Sequence, residues 1–251
     1  MGKVELSVRL LSHTPNVEDL VATAYRLCYS DKDIAQLASG VAMKNQDEFL
    51  KKVMAMGHLS PIEHVSFTFG VEGVSRSLLA QLTRHRIASF SVKSQRYVGA
   101  ISKDGDVFNY IIPQSVQAMG AEAVEVYEQQ MRTLQGWYDE WIERMGDNTQ
   151  GYEDARFVLP NAAETKLIMT MNARELLHFL SLRCCNRAQW EIRAMAWEML
   201  TLLKNVAPTL FRVAGPGCIA GACPEGKMSC GQAAQIRENY QIRFGDKTNA
   251  K

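Results

Sequence analysis

Apolar and polar positions alternate along residues 4–11. They alternate strictly along 65–71, where Val65, Phe67, Phe69 and Val71 interleave with Ser66, Thr68 and Gly70. Both stretches predict half-buried strands. Residues 167–171 read as a further strand, and 108–112 as a short one stopped by Pro113. Elsewhere the apolar spacing lengthens to the helical period. Leu20, Val21, Ala24, Leu27 and Cys28 predict a helix over 17–29, with Asn16 as its N-cap and Cys28 as a small core residue. Further helices are predicted over 45–56, ended by Gly57; over 75–86, capped by Ser75; over 121–145; over 152–158, before Pro160; and over 172–183 and 188–206, separate or continuous. In the longest of these, Tyr127, Leu134, Trp137, Tyr138 and Trp141 form an expected packing stripe. From Gly215 onward the chain reads as an irregular tail.

These elements predict an α+β fold: a single domain with a central, mostly antiparallel or mixed sheet packed by long helices, plus a Cys- and Gly-rich C-terminal extension. The expected division is 1–213 for the domain and 214–251 for the extension. The 251 residues are 47% hydrophobic and 22% charged, enough for a sizeable core. A net charge of +1 excludes bulk attraction to polyanions, so any anion site must be local. Met1-Gly2-Lys3-Val4-Glu5 carries no long apolar segment, and no apolar run reaches the roughly 18 residues of a membrane helix. A cytoplasmic protein with no membrane partner is expected.

The densest chemistry lies in Arg84-His85-Arg86-Ile87-Ala88-Ser89-Phe90-Ser91-Val92-Lys93-Ser94-Gln95-Arg96-Tyr97, where five cationic or potentially cationic side chains sit among three serines in fourteen residues. Its flanks are apolar, and cations held near a core call for anions such as phosphate. Within a helix over 75–86, Gln81 would lie one turn before Arg84 and His85, and Ser94-Gln95-Arg96-Tyr97 would add a second donor set on an extended segment. A polynucleotide grip through Arg84, Arg86, Lys93 and Arg96 is the rival reading. The near-zero net charge and the lack of a long basic face count against it, so no nucleic-acid partner is expected. There is no G-x-G-x-x-G after a strand, no G-x-x-x-x-G-K-[ST] and no G-x-S-x-G, so side-chain cations must take any phosphates.

Two further stretches carry polar chemistry. Gly57-His58-Leu59-Ser60-Pro61-Ile62-Glu63-His64 reads as a loop touching the polar rim of a ligand. In 172–183, Arg174 and His178 share a helical face, while Arg183, nine residues after Arg174, points to nearly the opposite side. Cys184 and Cys185 are adjacent. Cys218, Cys223 and Cys230 follow a C-x4-C-x6-C spacing that fits no standard zinc pattern. Structural thiols, a metal or cluster site with one further ligand, and a disulfide all remain open. The spacing favours a metal-free structural accessory, and no metal ligand is assigned.

Arg84-His85-Arg86-x7-Ser94 closely resembles the signature of flavin-dependent thymidylate synthases. Gly57-His58-x-Ser60-Pro61-x-Glu63-His64-x-x-Phe67-Thr68-Phe69 resembles the first flavin-contacting loop of that family. Asp154-Ala155-Arg156-Phe157-Val158-Leu159-Pro160 resembles its Ala-Arg-x-x-Leu-Pro segment. Asn172-Ala173-Arg174-x-Leu176-x-x-Phe179-Leu180-x-Leu182-Arg183 and Ala188-Gln189-Trp190-Glu191-Ile192 resemble its C-terminal helices. The match spans roughly residues 15–205.

The resemblance implies reductive methylation of dUMP to dTMP by a homotetramer with active sites between subunits. FAD would be the bound cofactor, NADPH the reductant and 5,10-methylenetetrahydrofolate the carbon donor. It implies flavin contacts at His58, Ser60, Glu63, Arg84, His85, Arg86, Asn172, Arg174 and His178. It implies nucleotide contacts at Gln81, Arg84, Ser94, Gln95, Arg96, Tyr97, Arg156 and Arg183, with Arg183 the catalytic residue that favours charge at uracil N3. The chain departs from the family pattern at Val92, where a polar Glu or Gln is usual, at His178, often Asn, and at Arg187, often His.

Overall fold

The computed structural model describes residues 2–100 and 107–245. Met1, used above in reading the chain's start, and 246–251 of the expected extension lie outside the described residues. Strands Ser7–His13 (β1), Ser66–Ser75 (β2), Ser89–Val92 (β3) and Glu164–Asn172 (β4) form one antiparallel sheet in the order β1-β2-β4-β3. The helices are Val17–Leu27 (α1), Ile34–Ala42 (α2), Asp47–Ala55 (α3), Arg76–Leu82 (α4), Gln114–Ala118 (α5), Ala121–Met145 (α6), Thr149–Ala155 (α7), Ala173–Arg183 (α8), Trp190–Val206 (α9) and Ala233–Phe244 (α10). The fold is α+β, as the patterning predicts. Among the described residues no helix is long and apolar enough to cross a membrane.

The strand alternation holds: Phe67, Phe69 and Val71 of β2 are fully buried, with Ser66 and Thr68 between them only partly so. The Thr68 and Thr170 hydroxyls pair at 2.9 Å, a cross-strand contact of the kind that sets register. Gly73 in β2 has φ 67°, and a Cβ there would lie 1.9 Å from the Glu5 carbonyl oxygen, so no other residue fits.

Several elements differ from expectation. α2 and α5 lie outside the expected elements; both are short, and the Asp33 carboxylate caps α2 by accepting from Gln36 N at 2.8 Å. Asn16 does occupy the N-cap of α1, but with φ 47° and no side-chain capping bond. The expected strand at 108–112 reduces to isolated bridges from Tyr110 to Lys3 and Ala163. α8 and α9 are separate helices. The tail is not irregular throughout, because α10 closes it. In α6 the aromatic stripe divides. Met131, Gln135, Tyr138 and Ile142 recur at helical spacing and face inward, whereas Trp137 and Trp141 fall off that face and are exposed. Cys28 is exposed rather than a core residue.

The chain gathers into two compact units, Met1–Arg9 with Gly70–Met169, and Leu10–Phe69 with Thr170–Lys251. In the first, Tyr110, Ile112 and Met131 form one apolar cluster, and Tyr138, Ile142 and Ala155 another. In the second, Phe67 meets Phe211 edge-on at 5.4 Å, and the buried faces of α1, α8 and α9 supply Val21, Leu176, Phe179, Ile192 and Leu203.

Candidate active site

The second unit carries the loop motif and α8. Ser60–His64 is a single 3-10 turn started by Pro61; Pro61 and Ile62 are buried, which leaves Ser60, Glu63 and His64 exposed. Its approach is held by the Tyr25 hydroxyl, which donates to the His58 carbonyl oxygen. Burial raises the Tyr25 phenol, so it stays a donor at working pH. The turn is tied to α8 twice. Ala173 N donates to Val65 O at 2.9 Å, and the Arg174 guanidinium donates to the Glu63 carboxylate. Asn172 is the N-cap of α8: its Oδ1 accepts from Glu175 N at 2.9 Å. That commits the acceptor end of the amide and leaves the NH2 end as the part able to donate to a ligand. Arg174 and His178 are exposed on one face of α8, the opposite face is buried through Leu176, Phe179 and Leu180, and Arg183 closes the last turn half-buried. His58, Ser60, Glu63, Asn172, Arg174, His178 and Arg183 thus all lie in one unit, on two elements joined by an ion pair.

The first unit carries the remainder. α4 stops at Leu82, not at Arg86: the Thr83 amide and hydroxyl both bond Leu79 O at 3.0 Å, and the next amides bond three residues back, Arg84 N to Gln81 O and His85 N to Leu82 O. Arg84 and Arg86 therefore project from a turn, exposed, on either side of a buried His85, while Gln81 stays on the helix, half-buried. Among the described residues neither Arg84 nor Arg86 is held in an ion pair. Ser94-Gln95-Arg96-Tyr97 is not extended as expected. It is a turn, in which Ser94 Oγ accepts from Arg96 N at 3.1 Å and Ser94 O from Val98 N at 3.2 Å.

That turn brings Arg96 to the helix that precedes Arg156. Arg96 Nε lies 2.6 Å from the Glu153 carboxylate and its guanidinium 5.6 Å from the Tyr97 ring, while Arg156 Nε donates to Glu153 O at 3.0 Å. Arg76, which sequence reading passed over, joins them. Burial, and after it the Arg156 charge, holds its guanidinium below the ordinary arginine range. The legible signal was its position: Arg76 is the first residue of α4, where the helix dipole disfavours a cation. Glu153 was missed as well, since nothing in the sequence links it to Arg96.

Cys184 is buried, and burial pushes its thiol far up, with Cys185 adding to the rise. Arg187, at a family-variable position, donates to Met228 O of the tail instead of standing free.

The family model for thymidylate synthase complementing protein matches residues 9–209. The flavin-dependent thymidylate synthase of Geobacter sulfurreducens is 52% identical over 236 residues, covering 94% of this chain and 98% of that protein. That of Clostridium tetani is 49% identical over 246 residues, with 94% and 97% covered. The crystal structure of the UMP/dUMP methylase PolB from Streptomyces cacaoi bound with 5-Br dUMP shares the fold at a TM-score of 0.68, with 23% identity over 84% of this chain and 95% of that one. The extent of these matches assigns the chain: it belongs to the thymidylate synthase complementing protein family, the flavin-dependent thymidylate synthases.

Proposed function

We propose that the protein methylates dUMP to dTMP, taking the carbon from 5,10-methylenetetrahydrofolate and the reducing equivalents from NADPH through FAD. The observation that carries this is the gathering of like charge in the first unit. Arg96 and Arg156 both meet Glu153, and Arg76 stands in the field of Arg156. Clustered guanidiniums cost free energy unless an anion joins them, and a nucleotide phosphate is the anion that planar, five-donor groups suit best. In this reading Arg96, Arg156 and Ser94 hold phosphate and sugar, with Gln81, Arg84, Gln95 and Tyr97 completing the nucleotide's surroundings. Arg183 stabilises the negative charge that develops on the uracil ring near N3, a fixed cation aimed at the transition state.

The donor set also fits a flavin dinucleotide. Its two phosphates need cations that are not already spent, and Arg84 and Arg86 are exposed and outside any ion pair among the described residues. His58, Ser60, Glu63, His85, Asn172, Arg174 and His178 would complete the hold. When bound, the flavin supplies the hydride that reduces the transferred carbon to a methyl group. The residues of this chain bind, orient and stabilise charge, and no enzyme thiolate is required. The same reading takes 1–213 as the catalytic domain with 214–251 as an extension, a cytoplasmic location, and a homotetramer with active sites between subunits.

The test is direct. Purified protein titrated with FAD should show bound-flavin absorbance, and with dUMP, NADPH and methylenetetrahydrofolate it should form dTMP, detected by chromatography. Failure of dTMP formation by flavin-loaded protein with all substrates present overturns the proposal. Mass in solution checks the tetramer.

A further inference from the structure

The chain's cysteines looked unpromising as ligands because the tail offers only three, at an unspecific spacing. The fold adds a fourth. Cys185, from the short connection between α8 and α9, lines the same small cavity as Cys218, Cys223 and Cys230. The cavity has a volume of about 20 Å3, and its remaining wall is largely small or apolar, with Pro216 and Ile236 among it. That volume admits about one water-sized body, which is room for a single ion and not for an iron–sulfur cluster. All four thiols are free of disulfides. We infer that Cys185, Cys218, Cys223 and Cys230 form a structural four-thiolate site for one zinc ion, which closes the tail onto the α8–α9 connection.

Three physical points support the inference. First, the segment from Gly215 to Gly231 is too rich in glycine to be ordered by apolar burial alone, since glycine gives up the most backbone freedom and buries nothing in return. An ion held from two distant parts of the chain supplies the missing ordering free energy. Second, four thiolates around a divalent ion leave excess negative charge, and two guanidiniums bond the backbone beside the cavity, against one carboxylate, Glu225, in its wall. Arg237 Nε donates to Cys218 O at 2.8 Å and its Nη2 to Gly221 O, and Arg187 donates to Met228 O. Third, the connection and the tail are already joined beside the cavity by Asn186 Nδ2 donating to Gln232 Oε1 at 2.7 Å, so little chain movement is left to make. Among the described residues no group of three or more His, Cys, Asp or Glu side chains is placed so that it could hold a metal ion, so the four thiols line the cavity without converging on one point. Binding therefore requires the four thiols to turn into the cavity they line, each losing its proton as it does so. The tetrahedral all-sulfur set suits zinc, which asks for no redox chemistry. This inference runs against the expectation of a metal-free tail and is independent of the proposed methylation.

The experiment uses the full chain, purified in reducing buffer without chelator. Elemental analysis should find about one zinc per chain, released when an organomercurial titrates the thiols. Cobalt(II) added to metal-stripped protein should give the strong visible bands and the near-ultraviolet thiolate charge transfer of a tetrahedral sulfur site. Cys185→Ser should lose the zinc, whereas Cys28→Ser should retain it. Should Cys185→Ser misfold, the cobalt spectrum of the unchanged chain decides independently. Protein that takes up no zinc when it is supplied, cobalt spectra of an octahedral oxygen site, a folded Cys185→Ser variant with full zinc content, or iron with acid-labile sulfide in place of zinc would each overturn the assignment.

Discussion

Arg174 and Glu63, 111 residues apart in sequence, meet as an ion pair that locks the first turn of α8 to the 3-10 turn ahead of β2. Both side chains are about half exposed, so the pair adds little to stability, roughly 0–1 kcal/mol. Its consequence is positional. The two motifs expected to touch the flavin are held together before any ligand arrives, which lowers the ordering cost of binding.

From this pair, Arg174→Ala should weaken FAD binding roughly 10- to 100-fold, the loss of a charge-assisted hydrogen bond worth about 1.5–3 kcal/mol. Glu63→Gln should weaken it less, because the amide still accepts from Arg174 and the guanidinium keeps its charge. Fluorescence quenching on titration with FAD measures both. Equal losses would mean that the pair acts only by holding the loop.

Arg183→Ala should lower kcat for dTMP formation by at least about 100-fold, roughly 2.7 kcal/mol, with FAD affinity within a few-fold of the unchanged protein. The argument is angular: nine residues past Arg174 on a helix is close to a half-turn away, so the two edges of α8 serve different ligands. Loss of flavin binding comparable to that of Arg174→Ala would remove the assignment.

Much of this was legible in the sequence where one period dominated. β2, α6 and α8 stand where the alternation and the helical spacing placed them, and the Ser75 cap accepts the amide its position predicts. What escaped was set by tertiary contact. α4 ends early as the amides of Arg84 and His85 turn to carbonyls three residues back, and Trp137 and Trp141 look like core residues until the surroundings of Tyr138 are known. α10 has almost no amphipathic pattern: Ile236 and Tyr240 are its buried residues, with Phe244 stacked on Trp197. The partnership of Arg96 with Glu153, and of Cys185 with the tail thiols, spans distances that no local pattern records.

Arg76 offers a test of stability against function. Its charge is disfavoured in the folded state by burial and by Arg156. Arg76→Gln should therefore leave the melting temperature unchanged or raise it, by up to about 1 kcal/mol in stability. The same change should raise KM for dUMP roughly tenfold by thinning the phosphate's cationic surroundings. A lower melting temperature with unchanged KM would make Arg76 purely structural.

Cys184 is the tempting nucleophile, one residue beyond Arg183. Its burial keeps the thiol protonated at any working pH, which denies it thiolate character. Cys184→Ala should keep dTMP formation within about tenfold, roughly 1.4 kcal/mol in the barrier, at a stability cost of about 1 kcal/mol for the atom removed. Steady-state kinetics beside a thermal melt separates the two effects. A loss of several orders of magnitude in a folded, flavin-loaded variant would restore a thiolate mechanism.

The last prediction concerns how the tail is seated. Tyr240, buried on α10, has one hydroxyl proton to share between Ala214 O at 2.7 Å and Arg212 O at 2.9 Å, and its ring packs against Trp197 and Phe244. Burial raises the phenol well above its ordinary range, so it remains a neutral donor across the usable pH span. Tyr240→Phe removes the donor and keeps the ring. Arg212 O still accepts from Lys204 Nζ at 2.9 Å, but Ala214 O loses this bond inside a buried site. The cost should be about 1–2 kcal/mol. Tyr240→Ala also empties the space against Trp197 and should cost about 3–5 kcal/mol. Truncation after Val213 removes every one of these contacts and uncovers α9, so it should lower the melting temperature more than Tyr240→Ala. FAD binding and dTMP formation should stay measurable in whatever fraction remains folded, because no residue assigned to flavin or nucleotide lies beyond Arg183. Thermal melts of the three variants, each paired with flavin titration, check the order. A truncation that melts like the full chain would show that α10 is seated without contributing to stability, and one that is stable but inactive would place part of the catalytic machinery in the tail.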